Sequence, residues 1–413
     1  MRIGMLSQWY DPETGPAALP GVYAREFTRL GHDVSVLTGF PNYPEGRLYP
    51  GYRMRARTRE SLGNVQLTRV PLYPNHSRSA VGRAVNYSSF SLTSSLFAGD
   101  ALRDIDAMWV YNSPVTVALP MLIHSRLGRI PVFLHVQDLW PDSLVDSGMF
   151  RDGRVGDVIT RLISYIVRLM ERRAAVIGVI SKGVRDLILE RNPRVDPSRI
   201  VYVPNPTNED LFRPSRLIRV EEGIELDKDK MNVMYAGAIG DVQGFDTLIE
   251  AASMLSSRAD IKFTIVGDGI KKRELEAKAR KLGLDNIEFL GRVPQSQVPT
   301  LMAKAHIHLV SLAANDFLRF TTPSKIPSLL ASEVPIIAQI EGDGARMIEA
   351  SGAGKVVAPG DAAALADTVQ QISDLSELER NMLAASGREY YEQNLSAKSA
   401  GLKIIEAMEV TQN

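Results

Sequence analysis

The chain has 413 residues, 45% of them hydrophobic and 23% charged, with 48 basic and 48 acidic side chains and no cysteine. That length exceeds one ordinary core and predicts two domains. The composition excludes a disordered chain, and the absence of cysteine excludes disulfides and thiolate metal sites.

The neutral total divides unevenly. Up to Arg213 there are about 26 Lys and Arg against about 20 Asp and Glu, so a basic first half precedes an acidic second half. Two readings stay open: a first domain that meets something anionic, such as a phosphorylated acceptor or a membrane surface, or two solvated surfaces of different charge. No stretch reaches the roughly 18 uninterrupted apolar residues of a membrane span. The start, MRIGMLSQWY, reads as a first strand and not as a secretory leader. A cytoplasmic protein is expected.

In chain order, IGMLSQ is a strand, followed by a loop rich in Pro and Gly and a helix from about Ala17 to Leu30. Gly31 stops that helix, and the β-branched strand DVSVLTG begins at once, a βαβ signature. Further strands read at VQLTRVP, AMWVYN, VFLHVQ, VIGVIS and IVYVPN, with a helix after Ser181. A charged linker follows Arg213. The pattern then restarts with VMYAGAI, FTIVGDG, IEFLGRV, IHLVSL, PIIAQI and KVVAPG, separated by helices. Two doubly wound α/β domains are predicted, residues 1–213 and 214–385, with a helix over about 386–413 that packs back on the first.

Ligands of such sheets bind at the carboxyl ends of the strands. Five motifs stand there. Gly15, within Glu13–Ala18, opens the first helix and suits phosphate. Gly237, Gly240 and Gln243 form a second strand-to-helix turn, and Gly267 and Asp268 a third. Ser324 is a natural N-cap, and Lys325 places a cation beside it. His135 and Asp138 sit at the end of VFLHVQ and are the candidates for contact with a reacting group. For every one of these motifs a plain turn, cap or core reading stands beside the functional one.

Three signals carry less. Asp104-Ile105-Asp106 has the form of a metal-binding DxD but precedes a strand, and His306 and His308 show no third ligand, so no metal is expected. Arginines 161, 168, 172 and 173 recur at helical spacing among apolar residues, the pattern of a packed face or of a helix on an anionic bilayer. Arg53, Arg55, Arg57 and Arg59 alternate as on one side of an extended segment. No recognised nucleic-acid module accompanies these arginines.

The segments GHDVSVLTGFPNYP, HVQDLWPDS, VPNPTNEDLF, YAGAIGDVQGFDTLIEAA, VGDGIKKRELE, FLGRVPQSQVP, TTPSKIPSLLASEVPIIA and AGKVVAPGD occur in order over nearly the full length. In them the chain resembles the retaining family-4 glycosyltransferases of the GT-B fold, and within that family the amino-sugar transferases of bacterial surface polysaccharides. The resemblance implies two Rossmann-like domains facing across a cleft and a nucleotide-sugar donor, UDP-linked and of N-acetylhexosamine type. It implies a transfer that needs no metal cofactor, with the donor mainly on the second domain and the acceptor mainly on the first. The acceptor itself is left open; the charge of the first half and its arginines point to an anionic or lipid-linked one, with peripheral contact at the inner face of a membrane. By motif, Gly15, Gly237, Gly240 and Gln243 would meet the diphosphate, and Gly267, Asp268, Arg292 and Val293 the base. Lys325 would face phosphate or ribose, and His135 the donor sugar with Asp138 nearby. Two departures stand out: no basic residue lies between Ile239 and Gln243, and two glutamates expected of relatives are replaced by Phe320 and Ser328. A nucleotide-sugar binder without turnover and a GT-B epimerase or phosphorylase are the alternatives.

Overall fold

The structure is a computed structural model that describes every residue except 77–78, 98, 142–153, 219–223, 316–322, 324 and 412–413. It divides into two compact units, Met1–Asn205 with Ala397–Asn413, and Pro206–Ser396. The change of unit therefore falls before Arg213, and the return to the first unit comes at Ala397, later than residue 386.

The first unit is built on an eight-stranded sheet of order β3-β4-β2-β1-β5-β6-β7-β8. Its strands are β1 (Arg2–Leu6), β2 (Asp33–Gly39), β3 (Thr58–Leu62), β4 (Val65–Val70), β5 (Ala107–Tyr111), β6 (Val132–Val136), β7 (Val176–Val179) and β8 (Ile200–Tyr202). All pairings are parallel except β3 with β4. Strands of such a sheet bury both faces, and β5 and β6 are buried at every position. On one face Leu6, Val110 and Leu134 meet α2 (Ala80–Phe97), α3 (Ala118–Leu127), α4 (Arg154–Arg173) and α5 (Lys182–Arg191). On the other, Met5, Trp109 and Phe133 meet α1 (Leu19–Arg29) and the last helix of the chain.

The second unit has six parallel strands in the order β11-β10-β9-β12-β13-β14. They are β9 (Met231–Ala236), β10 (Ile261–Val266), β11 (Ile287–Gly291), β12 (Ile307–Ser311), β13 (Ile336–Gln339) and β14 (Gly354–Val357). The helices are α6 (Phe245–Met254), α7 (Lys272–Lys281), α8 (Val298–Lys304), α9 (Lys325–Ala331), α10 (Asp343–Ser351), α11 (Ala362–Asp374) and α12 (Glu377–Asn394). The last helix, α13 (Ala397–Val410), crosses to the first unit, where Ala400, Ile404 and Met408 share a core with Ala24 and Phe27.

The doubly wound reading holds in both units. The sequence missed α2, an 18-residue helix whose inward residues include Asn86, Ser91 and Ser94 while Val81, Val85, Leu92 and Leu96 point outward. Its polarity is the reverse of an ordinary amphipathic helix: the apolar residues that recur at helical spacing face outward, and Phe90 is the only apolar member of its buried set.

The discounted signals have structural explanations. Asp106 accepts the Arg2 amide at 2.7 Å and ion-pairs with its guanidinium at the amino end of the first sheet. His308 is buried and bonded to the Met302 carbonyl, and the His306 ring accepts the Asn232 amide. Arg57 and Arg59 both pair with Asp100, so the basic strip is partly neutralised.

Candidate functional site

In the second unit the chain runs outward in both directions from β9, which makes the carboxyl ends of β9 and β12 the switch point of the sheet. The turn after β9 lies there, and neighbouring strands fix it. Ser311 Oγ donates to the Gln243 carbonyl, Gln339 Nε2 to the Gly244 carbonyl, and the Ala313 amide to the Val242 carbonyl at 2.9 Å. Gln243 folds its own side chain back, and its Oε1 accepts the Gly240 amide at 2.9 Å. Gln243 thus holds the turn's shape, and Gly240 N–H is already engaged.

The turn after β10 packs directly on it. The Gly237 amide donates to Val266 O at 2.9 Å and the Ile239 amide to Asp268 O at 3.0 Å. A Cβ on Gly267 would lie 1.8 Å from the Gly237 carbonyl oxygen, and its φ is +141°, so only glycine permits this approach. The Gly267 amide in turn bonds Gly291 O at the end of β11, beside exposed Arg292 and half-buried Val293. Asp268 is exposed, and its carboxylate accepts the next amide, Gly269.

Lys325 is the first residue of α9, and its ammonium stands 3.6 Å from the centre of the Tyr235 ring. A Cβ on Gly237 would be 2.9 Å from that nitrogen. Burial pushes the ammonium down to about 7. Among the described residues no carboxylate ion-pairs with it. Tyr235 donates its hydroxyl to Ala238 O at 2.8 Å, and burial raises its phenol. Gly237, Gly267 and Lys325 are therefore brought together, with Tyr235 as a support the sequence did not reveal. Ser324 and Phe320 lie outside the described residues. Ser328 shares a 2.6 Å hydrogen bond with Thr207 Oγ1.

In the first unit, the loop after β1 is held by a buried polar network. The Glu13 carboxylate accepts the amides of Tyr10, Asn42 and Tyr43 at 3.1, 2.8 and 2.8 Å. Burial pushes this carboxyl up to about 7 against those bonds. Asn86 links Gln8 to Asn42, and the buried Arg69 guanidinium donates to the Gly39 and Asp11 carbonyls. Gly15, at φ +66°, starts the exposed turn into α1.

At the end of β6, Asn112 accepts the amides of Gln137 and Asp138, and Ser113 donates to the Asp138 carboxylate. Asp138 is half-buried, and burial raises its carboxyl against that bond. Gln137 and Asn205 exchange two amide hydrogen bonds. The sequence signal for this cluster was available: amide side chains directly after apolar strands must find partners when buried.

His135 differs from its expected placement. It has no exposed surface, and its ring lies among Tyr23, Trp109 and Phe133 at centroid distances of 5.4, 5.7 and 6.0 Å. Nε2 bonds the Val203 carbonyl at 3.3 Å, and burial pushes the imidazole down to about 4. The cause is parity. His135 shares a face with Phe133, toward α1, and only from Gln137 onward does the chain leave the sheet. His135 and Asp138 do not form one open constellation.

Two doubly wound units, the second with glycine turns and a cation at its switch point, define a two-domain protein of the Rossmann type. The "Glycosyl transferase 4-like domain" family matches residues 14–206, and "Glycosyl transferases group 1" matches residues 230–374. WcaI of Escherichia coli (strain K12), named as a colanic acid biosynthesis glycosyl transferase, is 27% identical over 80% of this chain and 81% of its own. The 2-deoxystreptamine glucosyltransferase of Streptomyces kanamyceticus is 26% identical over 85% and 87%. Among solved structures, HepE of Anabaena in complex with UDP superposes with a TM-score of 0.64 at 14% identity, covering 99% of this chain and 100% of that one. The chain belongs to the family-4 glycosyltransferases of the GT-B fold and is a glycosyltransferase.

Proposed function

We propose that the chain transfers a sugar of N-acetylhexosamine type from a uridine-diphosphate donor to an acceptor, with retention and without a bound metal. The observation that carries the donor reading is the meeting of the Lys325 ammonium with the Gly237 turn, over Tyr235 and beside Gly267. The amides of Gly237, Ile239 and Gly240 are engaged within the turns, so the desolvated Lys325 cation at the switch point is the group that suits a diphosphate. The UDP form rests on neighbours solved with UDP and on the resemblance.

Negative charge grows on the departing diphosphate as the anomeric carbon becomes oxocarbenium-like. A cation already fixed at that place lowers the barrier. The leaving phosphate takes the proton from the acceptor hydroxyl, so no carboxylate nucleophile is required. By the resemblance, Arg292, Val293 and Asp268 would meet the base, Gly15 the diphosphate, and Asp138 would lie near the sugar. The acceptor is anionic or lipid-linked, and the reaction runs at the cytoplasmic face of a membrane.

A second reading is a nucleotide-sugar binder without turnover. The engaged hydroxyl of Ser328, where relatives carry a ribose-binding glutamate, favours it. Thermal shift with UDP, GDP and dTDP sugars, followed by transfer assays with the best ligand, separates them, because a ligand of the folded state raises its stability. Stabilisation by GDP but not by UDP overturns the donor assignment, and UDP-sugar binding without transfer or hydrolysis selects the second reading.

A further inference from the structure

The first unit covers its sheet with helices on both faces, and the two coverings differ. On one side α1 and α13 expose only Leu402 and Val410 among large apolar side chains. On the other, α2, α3 and α4 expose ten of the 22 found in all described residues. These three helices form one layer. His124 of α3 bonds the Ser94 carbonyl of α2 at 3.0 Å, and Arg173 of α4 donates to Ser125 and Ile130 carbonyls at 2.8 and 3.0 Å.

The outward positions are regular. Phe90 and Ser94 of α2 face the core, while Val81, Val85, Leu92 and Leu96 recur on the opposite side, with Val81 72% and Leu96 73% exposed. Only Arg83 is charged along that helix. On α4, Val167 and Met170 face the core, and Val158, Leu162 and Tyr165 point away, 63%, 56% and 53% exposed. Arg161, Arg168 and Arg172 flank this stripe at helical spacing. Exposed Arg126 and Arg129 lie at the end of α3. The acids of α4 are Asp157 and Glu171, and Glu171 is buried in bonds to Arg191 and Asn192.

Apolar stripes this exposed mark an interaction surface. We propose that the outer surface of the α2–α3–α4 layer docks on an anionic lipid bilayer. The apolar side chains enter the headgroup–acyl boundary, and the arginines keep their stems along the apolar surface while their guanidinium groups meet lipid phosphates. The charge selects this occupant: a second copy of the same patch would bring arginine against arginine, whereas anionic headgroups complement it. The surface lies outside the glycine turns, so the proposal does not rest on the donor reading.

The experiment is co-sedimentation of the full chain with vesicles of phosphatidylcholine alone or with about 30% phosphatidylglycerol. The chain pellets with the mixed vesicles and stays in solution with the neutral ones, and about 0.5 M salt releases most of it. The double variants Leu92→Ser with Leu96→Ser, and Arg161→Glu with Arg172→Glu, each lower the bound fraction by about fivefold or more. Melting temperature stays unchanged in both, since these side chains are exposed. UDP affinity of the same samples tests the transferase reading separately. Three results overturn the proposal: failure to pellet with mixed vesicles, variants that bind like the parent chain, or a dimer in solution that the serine variant makes monomeric.

Discussion

The Lys325 ammonium stands 3.6 Å from the centre of the Tyr235 ring, against the turn that closes β9. The ring faces the cation favourably, yet burial still pushes the ammonium down to about 7. A diphosphate arriving there would restore the charge, so binding takes up a proton.

Lys325→Ala weakens UDP binding by about 1.5–3 kcal/mol, the scale of a charge-assisted contact. In the parent chain, UDP affinity falls above about 7, where the free protein's lysine is neutral. The slope approaches about tenfold per pH unit. Lys325→Arg binds without that slope, because guanidinium stays charged. Calorimetry across pH checks this; an unchanged slope in the arginine variant moves the cradle elsewhere.

Gly267→Ala meets the Gly237 carbonyl with nowhere to go, since the obstacle is backbone and the φ of +141° disfavours a side chain. It costs about 2 kcal/mol or more of stability and lowers UDP affinity with it. Gly240→Ala is the control: its φ is −135° and the nearest obstacle is the Gln243 side chain. Denaturant melts and UDP titrations on both variants measure the contrast.

Glu13 has the opposite pH signature to an ordinary ion-paired carboxylate. Its folded carboxyl is pushed up to about 7. The folded state thus keeps a proton that the unfolded chain has released, and the contribution is full below about 4.5 and lost as pH rises to about 7. Glu13→Ala removes the acceptor of three amides, two of them buried, costs about 1–3 kcal/mol, and flattens that decline. Urea midpoints at about pH 5 and about pH 7 report both effects.

Apart from β3, whose TRESL is polar and mostly exposed, the strands were legible as short apolar runs, and the β9 and β10 turns and Lys325 could be placed from that spacing. What could not be read was orientation. Gln243 has the right position for a ligand contact but satisfies its own turn, a choice made by 2.9 Å geometry invisible in the string. Glu13 reaches Asn42, 29 residues away, and Asn86 reaches Gln8, 78 residues away. In α2 the inner face is fixed by Asn86, Ser91 and Ser94 beside Phe90 while the apolar stripe points outward, so apolar spacing does not tell which face is buried. The placement of His135 failed on the rule that makes parallel strands easy to find: with both faces buried, alternation does not say which face opens on a site.

His135 supplies the sharpest test. It is enclosed by three aromatic rings, bonded to Val203 O, and pushed down to about 4 by burial. The fold holds the neutral imidazole, so its contribution to stability is present above about 6.5 and is lost as pH falls toward about 4. His135→Ala opens a cavity among those rings and lowers stability by about 2–4 kcal/mol. Below the variant's melting transition, kcat per folded molecule and UDP affinity remain close to the parent values. His135→Phe restores ring volume at the cost of the Val203 bond; it recovers most of the lost melting temperature and removes the histidine's share of the acid loss. A catalytic imidazole gives another pattern: both variants stay folded while kcat drops by about a hundredfold or more. Melting temperature, UDP affinity and kcat on the same two variants decide it, and a folded His135→Phe without turnover would return this residue to the reaction.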